Sequence, residues 1–151
     1  MARFRFRLQN ILEIKIKMET QAKQEFSAAA EALAEEERKL DVLVLKKHTL
    51  EEEASRLLTG MLDFRDIADN ALARMQTDEK IGLQKEAIKR AEKELDKARE
   101  KMAEAVMERK TYEKLREKAF EEFVAGENKA EGKVIDELTS YRFGQKINNS
   151  N

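Results

Sequence analysis

The chain has 151 residues, with 30 basic and 31 acidic side chains, no Cys, no Pro and five Gly. Ala, Glu, Lys, Leu and Arg supply 88 of them and Leu, Ile, Val and Phe only 35, the profile of long helices and coiled coils rather than of a broad core. Balanced charge removes the chain as a whole from the polyanion binders. The lack of Cys removes disulfides, thiol catalysis and thiolate metal sites, and no apolar run nears the roughly 20 residues of a membrane span.

The first seven residues alternate basic and aromatic side chains in "RFRFR", then pass into "LQNILEIKIKMETQA". A period of two is strand-like, but it lasts five residues. Phe4, Leu8, Ile11, Ile14, Met18 and Ala22 form a helical stripe, so the start reads as the frayed first turn of a helix with Phe6 off its stripe. A secretory signal is interrupted by Glu13, Lys15 and Lys17, and early acids do not suit a transit peptide, so a cytosolic chain is expected. Residues 1–20 carry Arg3, Arg5, Arg7, Lys15 and Lys17 against Glu13 and Glu19. This cationic patch reads as a solvated helix end or as a docking surface for an acidic protein partner.

From Phe26 the three-four spacing becomes regular: Phe26, Ala29, Leu33, Glu36, Leu40, Leu43, Lys47, Leu50, Ala54 and Leu57 occupy the a and d positions of a heptad repeat. A second series runs Ile81, Gln84, Ile88, Ala91, Leu95, Ala98, Met102, Ala105, Arg109, Tyr112, Arg116, Ala119 and Phe123. It then slips to Ala130, Val134, Leu138 and Tyr141. Acidic runs such as Glu35–Glu37 and Glu51–Glu53 read as solvated faces. Two such seams in one chain predict an all-α fold in which two long helices form an antiparallel coiled-coil hairpin, each burying the other's stripe. The bend has two candidates. Gly60 can end a helix in the left-handed conformation, with Asp63 capping the next. Thr77 can instead cap a helix with acids in its first turn, and Met61, Phe64, Ala68, Ala71 and Met75 favour it by phase.

Chemistry is sparse. There is no glycine-rich phosphate loop, no Ser–His–acid set and no metal-ligand cluster; the one His, His48, sits beside Lys46 and Lys47 on a helix. A two-helix hairpin offers no dry concave pocket, so no enzyme and no cofactor are expected. A basic character confined to one end argues against nucleic acid and allows at most peripheral membrane contact.

Both ends of the chain resemble a known family. "FRFRLQNILEIKIKMETQA" is similar to the opening of the flagellar export protein FliJ family: an aromatic pair, Leu-Gln, an Ile-Leu step, then Lys, Glu and Ala. "NKAEGKVIDELTSYRF" is similar to that family's ending, with Lys129, Lys133, Asp136, Glu137 and Arg142 at the matching positions. The family's aromatic residues around the bend are reduced here to Phe64.

The resemblance implies a bend near Gly60: helix 1 over about 3–59, a turn at about 59–63 and helix 2 over about 63–143, with 1–143 a single hairpin and 144–151 a disordered tail. Helix 2 beyond about residue 117 would then run alone and is expected to order on binding. It further implies a non-enzymatic part of the flagellar type III export apparatus, cytoplasmic and peripheral at the inner face of the membrane. In that setting the hairpin enters a hexameric export ATPase, links it to the membrane export gate and escorts export chaperones. The candidate partner-binding residues are Arg3, Phe4, Arg5, Phe6, Arg7, Leu8, Lys15, Lys133, Asp136, Glu137 and Arg142. The competing readings are an unrelated scaffold coiled coil and a peripheral membrane helix.

Overall fold

The computed structural model describes residues 2–149. It holds two α-helices, α1 (Gln9–Leu57) and α2 (Phe64–Asn149), and no strand among the described residues. The helices pack on each other as an antiparallel coiled-coil hairpin. The reversal occupies residues 58–63, so the chain turns at Gly60 and not at Thr77. Gly60 takes φ 77°, a left-handed conformation that costs an L side chain its Cβ clearance. The Thr59 hydroxyl and amide both donate to the Arg56 carbonyl, at 2.7 and 3.1 Å, satisfying an acceptor the helix end leaves open. Asp63 then caps α2: its carboxylate accepts from the Arg65 amide at 2.9 Å.

The chain divides into two compact units, one of residues 20–104 and one joining residues 2–19 to 105–149. In the 20–104 unit the inward positions of α1 are the heptad series from Ala22 through Phe26, Leu33, Leu40 and Leu50 to Leu57. Those of α2 run Ile67, Asn70, Arg74, Thr77, Ile81, Gln84, Ile88, Ala91, Leu95, Ala98 and Met102. The phase suggested by Met61, Phe64 and Met75 fails, because these three point to solvent at 98, 78 and 69 % exposure. Polar residues hold the seam there instead. Buried Asn70 donates to the Leu50 carbonyl at 3.0 Å and accepts from Arg74 at 2.8 Å; Thr77 bonds the Ala73 carbonyl of its own helix at 2.8 Å. Further along, Gln84 donates to the backbone and carboxylate of Glu36. A polar group at a seam position fixes register, since a slipped pairing would set it against an apolar neighbour.

In the unit formed by the two ends, the heptad of α1 continues backwards in phase through Glu19, Lys15, Leu12 and Leu8. Leu12 is 4 % exposed. Ile11, Ile14, Ile16 and Met18 lie outside the seam, contrary to the stripe through Ile11, Ile14 and Met18 that the sequence suggests. Lys15 and Glu19 are accommodated by ion pairs, so the seam does not need apolar residues there. The opening also departs from a frayed helical turn. Residues 2–6 are non-helical, with Phe4, Phe6 and Leu8 half-buried and Arg3, Arg5 and Arg7 exposed. The alternation is that of an extended segment laid on α2 without a strand partner; α1 starts at Gln9, whose amide bonds the Phe6 carbonyl at 3.1 Å. An extended chain advances about 3.3 Å per residue against 1.5 Å in a helix, so this segment carries the covered part of α2 on to Phe123 rather than ending it near 117. Beyond Phe123, α2 continues as helix through 144–149, where the sequence suggests a disordered tail over 144–151; residues 150 and 151 lie outside the described residues.

Candidate functional site

All eleven candidate residues lie in the unit formed by the two ends, and they divide into two groups. The first surrounds the extended opening. Phe4 meets Phe120 edge-on with ring centroids 5.2 Å apart and Phe123 at 5.5 Å, geometry that suits the quadrupoles of aromatic rings. The Arg116 guanidinium lies 5.6 Å over the Phe4 ring, and its Nε donates to Gln9 at 3.1 Å. Phe4 is thereby an internal anchor that pins the segment. What faces outward is the trio Arg3, Arg5 and Arg7, spaced by half-buried Phe4 and Phe6.

Lys15 belongs to the framework of this end. Its ammonium bonds Glu108 at 2.8 Å and stands 5.9 Å over the Tyr112 ring; the Glu108 hydrogen bond holds it above the ordinary lysine range. Beside it the Arg109 guanidinium spans both carboxylate oxygens of buried Glu19 and bonds Glu113 at 2.7 Å, and the Glu19 hydrogen bond likewise raises Arg109. Ile11, Ile14 and Met18, half exposed, make an apolar ridge on the outer side of α1. Their spacing of three and four aligns them on one face. Following the Phe26 heptad back to Leu12 would have revealed this ridge from the sequence.

The second group is Lys133, Asp136, Glu137 and Arg142, all exposed on the part of α2 that no α1 residue covers. Lys133 stands ten residues beyond Phe123, about 15 Å along the helix, so the groups share one end of the hairpin without merging into one patch. Exposed His48 lies 3.0 Å from Glu52. No group of three His, Cys, Asp or Glu suited to a metal ion occurs among the described residues, nor is any helix there long and apolar enough to cross a membrane. Exposed guanidinium groups beside an apolar ridge can bind a carboxylate-rich protein surface with an apolar complement.

The family model described as "Flagellar FliJ protein" matches residues 4–148, from the anchoring Phe4 nearly to the end of α2. No curated protein and no solved structure matches the chain.

Proposed function

Because the chain belongs to the flagellar FliJ protein family and is thus a component of the flagellar export apparatus, we propose that it acts there as a non-catalytic stalk. In this reading the open end of the hairpin docks into the hexameric export ATPase. The hairpin links that ring to the membrane export gate, and the chain also escorts export chaperones. It works at the cytoplasmic side, peripheral to the membrane.

The observation that carries the reading is the exposed arginine trio, pinned by Phe4 at the end where the extended opening lies against α2. A ring pore lined by acidic and apolar groups would meet Arg3, Arg5 and Arg7 together with Ile11, Ile14 and Met18. Charge complementarity of this kind sets encounter rate and partner choice more than raw affinity. Lys133, Asp136, Glu137 and Arg142, farther out on α2, are the second set of proposed contacts. Lys15 serves by holding α1 on α2.

The test is binding of the purified export ATPase to the chain and to an Arg3→Glu, Arg5→Glu, Arg7→Glu variant, whose replaced side chains are exposed and outside the Phe4 anchor. Loss of at least ten-fold in affinity at physiological salt is expected, with unchanged helix content. Equal affinity would refute the docking surface.

A further inference from the structure

Beyond Phe123, α2 runs on as helix with no α1 residue beside it, yet its sequence is that of a helix built to be covered. At 100° per residue, Ala130, Val134, Leu138 and Tyr141 fall on the face that Tyr112, Ala119 and Phe123 present to the opposite chain segment. Val134, Leu138 and Tyr141 are 54, 54 and 64 % exposed. The interface between the helices therefore continues, unfilled, along the overhang. A lone helix of this length is marginal in water, and Gly126, Gly132 and Gly144 weaken it further relative to Ala.

We propose that this surface pairs with the same surface of a second copy of the chain, antiparallel, about a two-fold axis near residue 136. The pattern of the stretch is complementary to itself in that one register. Val134 of each chain faces Leu138 of the other. Small Ala130 faces large Tyr141, so the layers interdigitate. In an antiparallel pair, residues on the same flank of the two seams oppose one another. That sets Glu131 against Arg142 on one flank and Lys133 against Glu137 on the other, each twice by symmetry. A seam with both apolar layers and flanking opposite charges is what specifies partner and orientation in coiled coils. The apolar layers of the overlap stop short of the hairpin: Tyr141 of the second copy reaches Ala130, and the two helical turns beyond it end opposite Phe123, at the edge of the seam that Phe4 fills. The paired form and a form whose overhang is held by another protein exclude each other, because both need this face.

The proposal is independent of ring docking, and its test uses the full chain alone. Sedimentation equilibrium across the micromolar to submillimolar range is expected to show a monomer–dimer equilibrium. Glu131→Arg and Arg142→Glu, each alone, place like charges opposite one another and should weaken dimerisation at least ten-fold. Mixing the two variants restores opposite charges at both contacts, one in the native order and one with the signs exchanged, and should restore the dimer. A monomer at every concentration would overturn the proposal and leave the face to a helix of a different protein. A dimer indifferent to both charge reversals would overturn it too, placing the contact elsewhere.

Discussion

Truncating Leu12 and, separately, Ile14 to Ala distinguishes two incompatible readings of the first helix. The stripe through Ile11, Ile14 and Met18 would bury Ile14; the structure buries Leu12 at 4 % exposure and leaves Ile14 at 54 %. Leu12→Ala removes three carbons from a nearly fully enclosed site, about 2.4 kcal/mol at ~0.8 kcal/mol per carbon. The cavity adds to this, although a two-helix seam open on both flanks collapses or hydrates part of it, so about 2 to 3 kcal/mol is expected. Ile14→Ala forfeits roughly half of a similar transfer term and regains ~0.4 kcal/mol from the better helix propensity of Ala, a net loss of about 0.8 kcal/mol. For a chain of this size the difference is a fall in Tm of roughly 5 to 10 °C for Leu12→Ala against roughly 2 to 3 °C for Ile14→Ala. Thermal unfolding followed by circular dichroism reads it. An Ile14 variant destabilised as much as the Leu12 variant would refute the face assignment.

Replacing Arg109 with Met takes from buried Glu19 the guanidinium that spans its carboxylate and should lower the urea midpoint. Replacing both Glu19 and Arg109 with Leu should restore it at least to the original value, since apolar seam residues do well where an ion pair is dispensable. Hydrogen bonds from Lys101 to Glu25 and from Gln84 to Glu36 hold those carboxyls below their ordinary value. Their contribution is present above pH 4.5 and is lost as pH falls through the lowered values. Glu108 and Asp78 raise Lys15 and Lys47 above 10.5, a contribution present below that pH and lost as pH rises through the raised values. Tm measured against pH should therefore be flat through neutrality and fall at both extremes; a rise from about pH 5 to about pH 3 would contradict this. Gly60→Ala meets open space but keeps a positive φ, so it should cost about 1 kcal/mol of backbone strain; an unchanged or higher Tm would count against the left-handed turn.

The hairpin was legible where apolar residues fill the heptad without competition, from Phe26 to Leu57 and from Ile81 to Phe123. Gly60 and Asp63 also announced the turn through their local chemistry. Periodicity misled in the two places where the seam is polar. Lys15 and Glu19 face inward because Glu108 and Arg109 satisfy them across the seam, so the nearby isoleucines drew the stripe to the wrong face. Asn70, Arg74 and Thr77 likewise face inward after the turn, Asn70 bonded across to Leu50 and the other two within α2, which made Met61, Phe64 and Met75 look like the buried set. An apolar stripe outweighs a seam position filled by a pair of residues 90 apart in sequence, which only the Phe26 heptad carried back in phase picks out. At the candidate site the arginine trio was legible as a charge patch. The anchoring role of Phe4 was not, because Phe120 and Phe123 meet it only once the chain has turned back.

The most direct test of the hairpin is one distance within the unit of residues 20–104. The chain has no native Cys, so Cys placed at Glu25 and Lys101, whose side chains meet at 2.8 Å, can carry a pair of spin labels. A reversal at Gly60 puts the labels on adjacent helices whose axes lie about 8–10 Å apart, giving a narrow distribution at roughly 20 Å or less. A bend at Thr77 would set residue 101 opposite residue 53, some 28 helical residues from residue 25, and give about 42 Å. The short distance is expected; the long one would contradict the reversal at Gly60 and the register on which the fold and the docking end both depend.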